Sequence, residues 1–243
     1  MGQLDGKVAI ITGGGTGIGR GIGRAFVKEG AKVVLAARRR QQLDEAAKEL
    51  RALGGDVLVV PTDVTDEAAV ANLFKQTMDR YKRVDILVNN SGAFDGGPLD
   101  ELSLATWKKV MDVNLTGVFL CTRDAMKIMK KQKGGRIINI GSISAQMTRV
   151  NAAPYTTTKH GLVGLTKSTA LEGRDFGISA GCLHPGNVLT ELRAASSQLK
   201  DAEPMMQPDD IAIAALAMAV LPPYVNMLES IVLPVQQKYL GRG

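Results

Sequence analysis

Val8-Ala9-Ile10-Ile11-Thr12-Gly13-Gly14-Gly15-Thr16-Gly17-Ile18-Gly19 decides the fold of this chain. Val8 to Ile11 is apolar and mostly β-branched, which suits a buried strand. From Gly17 to Lys28 the apolar residues recur with a helical period. The glycines between them permit a tight turn and let the backbone come close to a ligand. A turn that feeds a helix N-terminus presents free amide groups and the positive end of the helix dipole, a ready site for a pyrophosphate. The spacing is T-G-x-x-x-G-x-G rather than G-x-G-x-x-G. A merely flexible turn would share the glycines, but not the placement between a first strand and a helix.

The same alternation continues along the chain. Lys32 to Ala37 reads as a strand, Gln41 to Leu53 as a helix closed by Gly54-Gly55, Asp56 to Val60 as a strand, and Asp66 to Tyr81 as a helix with Asp66 as its N-cap. Val84 to Val88 and Arg136 to Ile140 are strands separated by helical sequence from Leu104 to Lys131. Pro154 to Arg174 is a long helix, Ile178 to Leu183 a strand, Pro208 to Leu221 a helix, and Leu228 to Leu233 a last strand. Near-continuous apolar strands separated by helices predict an α/β Rossmann fold: a doubly wound parallel sheet of about seven strands with helices on both faces. A chain of 243 residues fits one such domain, 1–243.

Two residues suit proton transfer. Tyr155 and Lys159 stand four apart, on one face of the predicted helix. A phenol ionises only near pH ~10, so it works as an acid-base when a positive charge stands beside it. Ser142 follows a strand at the same carboxyl edge as the glycine turn, where its hydroxyl can hydrogen-bond a substrate oxygen. Asn114 lies in an apolar helical stretch and needs partners, as a structural hub or as part of a proton relay.

These residues, with Asp63-Val64, Asn89-Asn90-Ser91-Gly92 and Pro185-Gly186, occur in an order and spacing that resembles the short-chain dehydrogenase/reductase family over nearly the whole chain. The resemblance implies catalytic roles for Asn114, Ser142, Tyr155 and Lys159. It implies a nicotinamide dinucleotide held by Gly13, Gly15, Thr16, Gly17, Ile18 and Gly19, with Asp63 and Val64 at the adenine and Asn90, Ser91 and Gly92 beside the cofactor. Pro185, Gly186, Val188 and Thr190 would hold the nicotinamide end, with Tyr155 and Lys159 also in reach of the cofactor. Asn114 would support Lys159 through a bound water. Ser91 stands where the family most often has alanine. The ending, Leu221-Pro222-Pro223-Tyr224-Val225-Asn226 and Leu233-Pro234-Val235-Gln236, is similar to the branch of NADP-dependent 3-hydroxy acid and serine dehydrogenases.

After the second strand an NAD-binding chain usually carries an acid. Here Ala36 and Ala37 are followed by Arg38, Arg39 and Arg40, so NADP(H) is expected in preference to NAD(H), with Arg38 and Arg39 on the 2′-phosphate. Arg40 reads equally as the solvated start of the next helix. The predicted activity is hydride transfer between NADP(H) and a carbonyl or alcohol carbon of a small substrate, such as a 3-hydroxy acid. A 3-oxoacyl thioester is the second substrate class, and a non-catalytic NADP-sensing protein the alternative of another kind. Substrate walls are expected at Ala93 to Pro98, Ile143 to Val150 and Asn187 to Gln207, with 186–207 as a lid and Met205 and Met206 as apolar contacts. Arg149, in the loop between Ser142 and Tyr155, either holds a substrate carboxylate or is solvated.

The net charge of +6 raises nucleic-acid binding, but the basic residues are scattered and aromatic residues amount to 4%. No apolar run approaches the ~18 residues of a membrane span, and Met1 to Lys7 carries no signal-like stretch, so a cytoplasmic protein is expected. Cys121 and Cys182 read as buried free thiols, no metal pair is suggested, and His184 reads as an uninvolved loop histidine. A homo-oligomer, dimer or tetramer, is expected to form through the helices Asn114 to Lys130 and Pro154 to Arg174, where Val118, Leu162, Val163 and Leu165 suit an interface or the chain's own core.

Overall fold

The computed structural model describes residues 2–191 and 204–239. Seven strands form one parallel sheet: β1 (Val8–Thr12), β2 (Lys32–Ala37), β3 (Val57–Pro61), β4 (Ile86–Asn89), β5 (Gly135–Ile140), β6 (Ile178–Pro185) and β7 (Glu229–Val232). The helices are α1 (Gly17–Lys28), α2 (Arg40–Ala52), α3 (Glu67–Tyr81), α4 (Leu104–Met111), α5 (Gly117–Gln132), α6 (Ala153–Gly173) and α7 (Pro208–Val220). The spatial order β3-β2-β1-β4-β5-β6-β7 reverses between β1 and β4. Helices therefore lie on both faces, and the crevice at the carboxyl ends of β1 and β4 is a switch point where such sheets bind ligands.

Burial on both faces explains the apolar strands. Every residue of β1 and of β6 is buried. One face packs Ile22 and Phe26 of α1, Leu43 and Leu50 of α2 and Ile211 and Ala215 of α7 against Ile11, Leu35 and Ile138. The other packs Leu73 and Phe74 of α3 and Leu120 and Met129 of α5 against Ile10, Val34 and Ile137. Asp66 caps α3 as expected, its carboxylate accepting from the amides of Ala68 and Ala69.

Several expectations change. Residues Asp112–Thr116, with Asn114 among them, form a π-helical turn between α4 and α5 rather than regular helix. Val118 and Leu162 are buried together with Cys182, with Leu165 packed against them, so these residues belong to the chain's own core. The apolar residues those helices leave exposed are Phe119 and Leu171. Met206 is also core: it pairs with Val188, and its amide donates to the Asn187 carbonyl at 2.9 Å. The expected lid, 186–207, is thus pinned at both described stems, while 192–203 lies outside the described residues. Cys121 and Cys182 are buried free thiols, and burial pushes each up to about 12.

Candidate active site

A cavity of about 590 Å³ opens along the carboxyl edge of the sheet, within the range of small-molecule sites. Its floor is the glycine turn. Gly13 has φ +63°, and a Cβ there would come within 2.8 Å of the Asn90 amide nitrogen, so only glycine fits without displacement. The turn is stapled to β4. The Thr12 hydroxyl accepts from the amides of Asn90 (3.0 Å) and Ser91 (3.1 Å), and Asn90 Nδ2 donates to the carbonyls of Thr12 and Gly13.

Thr16 precedes α1 in extended backbone without capping it, and the first turn of α1 holds no acidic residue. Neither a Thr16 cap nor a first-turn acid occupies the first amides of α1, at the cavity wall formed by Gly15, Thr16, Gly17 and Ile18; the carboxylate near them is that of Glu191, 3.4 Å from where a Gly17 Cβ would stand. Amides so placed suit a pyrophosphate.

Farther out, Arg38 and Arg39 follow β2 and line the cavity with Gln42, Thr62, Asp63 and Val64. Asp63 accepts from the Thr65 amide (3.0 Å) and hydroxyl (2.8 Å). Burial opposes its ionisation, but these bonds and the charge of Arg38 outweigh it and hold the carboxyl below its usual range.

The opposite end of the cavity gathers the proton-transfer residues. Tyr155 and Lys159 lie in the first turns of α6, with the Lys159 Nζ 5.4 Å from the Tyr155 ring centre. Lys159 is buried and donates to the Ile140 carbonyl at 2.8 Å. Among the described residues no carboxylate pairs with it, so its charge remains available to the phenol and to a ligand. Phe94 packs edge-on against Tyr155 at 5.2 Å. The Ser142 hydroxyl accepts from the Ser144 amide at 3.1 Å, which starts a short turn over Ile143–Ala145 and leaves the hydroxyl's own proton to donate.

Ser91, Gly92, Pro185, Gly186, Val188 and Thr190 also line the cavity. Two expected residues do not. Gly19 is buried behind the turn, where a Cβ would meet the Gly13 carbonyl and Asn90, so a side chain there would displace the turn. Asn114 grips the loop after β4: its Oδ1 accepts from the Ala93 amide (2.7 Å) and its Nδ2 donates to the Ala93 carbonyl (2.8 Å) and the Thr158 hydroxyl (3.3 Å). It is a hub holding one wall in place, and through Thr158 it is tied to the residue next to Lys159.

His184 is not in a loop. It is the penultimate residue of β6, fully buried behind Ser142. Of the expected walls, Ala93, Phe94, Ile143, Ser144, Arg149, Asn187 and Glu191 face the cavity. Gln42, Thr62, Val113, Ile140 and Gly141 also line the cavity and were not expected there; Thr62 precedes Asp63 and Gln42 lies three residues after Arg39, where the sequence pattern carries no signal.

The described residues contain no group of histidine, cysteine or carboxylate side chains able to hold a metal, and no helix long and apolar enough to cross a membrane. Residues 7–201 match the model of the short chain dehydrogenase family. An oxidoreductase of Bacillus subtilis (strain 168) is 38% identical over 235 residues, covering 96% of this chain and 85% of the relative. The 3-oxoacyl-[acyl-carrier-protein] reductase of Synechocystis sp. (strain ATCC 27184 / PCC 6803 / Kazusa) is 38% identical over 208 residues, 85% of this chain and 83% of the relative. A point variant of actinorhodin polyketide ketoreductase, solved with NADPH, superposes with a TM-score of 0.89 at 33% identity, covering 98% of this chain and all (100%) of that one. The motifs, the sheet order and these likenesses agree: the chain belongs to the short-chain dehydrogenase/reductase family and is an oxidoreductase of that type.

Proposed function

We propose that this protein transfers a hydride between NADP(H) and a carbonyl or alcohol carbon of a small hydroxy or oxo acid. The observation that carries this is the shared cavity: Tyr155, Lys159 and Ser142 stand at one end and Arg38 and Arg39 at the other, with the glycine turn and α1 between them. Gly13, Gly15 and Gly17 keep side chains off much of the cradle where a pyrophosphate would lie, and the two guanidinium groups suit a 2′-phosphate. When bound, the nicotinamide supplies the hydride in reduction and takes it in oxidation.

The rest belongs to the chain. Ser142 donates to the substrate oxygen and fixes its position. Tyr155 gives its phenolic proton to that oxygen as the carbon gains hydride, and takes it back in the reverse direction. Lys159 stabilises the phenolate left behind. Asn114, through Ala93 and Thr158, keeps the wall and the start of α6 in register.

Arg149 supports an acidic substrate. Its carbonyl accepts from the Ala152 amide (3.3 Å) and the Thr148 hydroxyl (3.3 Å), and the Thr148 hydroxyl in turn meets that of Thr156 (3.2 Å), which ties the loop to α6. The side chain faces the cavity and makes no ion pair among the described residues. The C-terminal likeness to 3-hydroxy acid dehydrogenases points the same way. The Synechocystis relative favours a second reading, a 3-oxoacyl thioester as substrate.

NADPH consumption across oxo acids, their methyl esters, neutral ketones and acyl thioesters tests both readings, and no turnover of any would leave a cofactor-sensing protein. With an oxo acid, Arg149→Ala should raise KM about tenfold, the low end for a charge-assisted bond at an exposed site. The matching methyl ester should change little. Equal effects on acid and ester would contradict the carboxylate role.

A further inference from the structure

His184 is fully buried, and nothing in the scheme above uses it. Its Nδ1 lies 3.3 Å from the Ser142 backbone nitrogen and 3.0 Å from the Ser142 carbonyl oxygen. Its Nε2 lies 3.3 Å from Glu229 Oε1, within ion-pair range though short of a well-aligned hydrogen bond. The same Glu229 oxygen accepts from Gln146 Nε2 at 2.9 Å. Both ends of the segment 142–146 are thereby tied, the start through His184 to β6 and the end through Gln146 to β7. Gly141 leaves room for the ring, since a Cβ there would stand 2.5 Å from Nδ1.

Two tautomers are available to a neutral imidazole, each with one donor and one acceptor nitrogen. The surroundings distinguish them. The Ser142 carbonyl already accepts from the Ala145 amide at 2.9 Å, whereas the Ser142 amide has His184 Nδ1 as its acceptor among the described residues. With the proton on Nε2, that N–H lies beside the Glu229 carboxylate, 3.3 Å away though not aligned as a hydrogen bond, and Nδ1 accepts from the Ser142 amide. With the proton on Nδ1, the ring donates to the Ser142 carbonyl at 3.0 Å, but a ring lone pair faces the carboxylate and the Ser142 amide loses its acceptor.

We propose that His184, held as the neutral Nε2–H tautomer by Glu229, is a positioning residue that fixes Ser142 through its backbone amide. The proposal rests on the reading of Ser142 as the donor to the substrate oxygen. The charged and titratable groups around the ring are Glu229 from β7, Lys159 from α6, Cys182 from β6 itself, and Lys167 behind Glu229 at 3.9 Å. Burial disfavours the imidazolium and Lys159 adds to this; Glu229 and Ser142 oppose, and the balance lies below the ordinary histidine value. Protonation at lower pH turns Nδ1 from acceptor of the Ser142 amide into donor to the Ser142 carbonyl, so the amide loses its anchor as pH falls.

Turnover and ring state test this separately. His184→Asn offers an oxygen acceptor near the place of Nδ1, while His184→Leu offers none. His184→Leu should lower kcat by about 10- to 100-fold, the effect expected of a small misplacement, with less change in KM. His184→Asn should keep kcat within about threefold at neutral pH, since only positioning is at stake, and should lose the acidic limb of the kcat profile. The chain has 2 histidines, so long-range proton–nitrogen NMR of the full protein can read this ring directly, with His184→Asn assigning it. The expected ring is Nε2–H at neutral pH and titrates lower than an ordinary histidine. An Nδ1–H or doubly protonated ring at neutral pH overturns the proposal. So does wild-type kcat in His184→Leu when Ser142→Ala is impaired. Wild-type turnover in Ser142→Ala instead overturns the role of Ser142, and with it the purpose assigned to His184.

Discussion

Replacing Ala37 by Asp and Arg38 by Leu should invert the cofactor preference. Ala37 ends β2, where it pairs in register with Pro61, and the Ala36 carbonyl accepts from the Gly14 amide at 3.3 Å. The end of β2 is thus locked beside the glycine turn, and Arg38 leaves it directly into the cavity. A guanidinium–phosphate hydrogen bond contributes about 1.5–3 kcal/mol net, so its loss weakens NADPH binding roughly 10- to 100-fold. A carboxylate at 37 repels a 2′-phosphate and accepts from the ribose hydroxyls of NADH, a term of similar size. Together they shift the NADPH-to-NADH preference by roughly 10²- to 10⁴-fold, with Arg39 retained and holding the change toward the lower figure. Titration calorimetry with each cofactor needs no substrate. A wild-type protein that binds NADH as tightly as NADPH refutes the reasoning. So does an unchanged ratio in the double variant.

Two further outcomes follow from the packing. Arg136 is buried in β5, with Nη2 against the carbonyls of Leu221 (3.1 Å), Pro222 (3.3 Å) and Val225 (3.2 Å) just past α7. Arg136→Leu removes three hydrogen bonds from a charged donor, costing about 1–3 kcal/mol, and should lower Tm by roughly 3–10 °C in a thermal melt; an unchanged Tm contradicts the role. Phe119 on α5 and Leu171 on α6 are exposed apolar residues on the helices expected to pair between copies. Light scattering at micromolar concentration should therefore find a dimer or tetramer, and a monomer would refute that expectation.

The fold was largely legible because both faces of the sheet are covered, so strands and helices differ sharply in apolar pattern. The sequence limits of α1 and β2 coincide with those observed, and other ends shift by a residue or two. The π-helical turn at Asp112–Thr116 left no trace, since it inserts without breaking the apolar rhythm of Val113 and Leu115. Val118 and Leu162 illustrate another limit. An apolar residue on a helix that is covered on two sides does not say which side it faces, and here both face inward.

At the site, most of the residues expected from the motifs and the family resemblance line the cavity. Roles that rest on tertiary hydrogen bonds were not legible. His184 was misread because Pro185-Gly186 signals a loop, whereas β6 runs on through Pro185 and its partner Glu229 comes from β7, beside β6 in the sheet but far along the sequence. Asn114 needed partners by its burial, but only the fold identifies them as Ala93 and Thr158. Gly19 followed the motif yet serves the turn from behind, because its hydrogen-sized face is what lets Gly13 and Asn90 close over it.

The most direct test of the account is Tyr155→Phe, which keeps the ring packed against Phe94 and removes only the transferable proton. The measurement is NADPH oxidation with the best acceptor from the substrate panel, under conditions where the chemical step limits the rate. Turnover should fall by at least ~10²-fold, as for a lost general acid, while calorimetric NADPH affinity changes by no more than about threefold. Near-wild-type turnover in that variant would contradict the assignment of Tyr155 as the proton donor, and with it the proposed chemistry of the site.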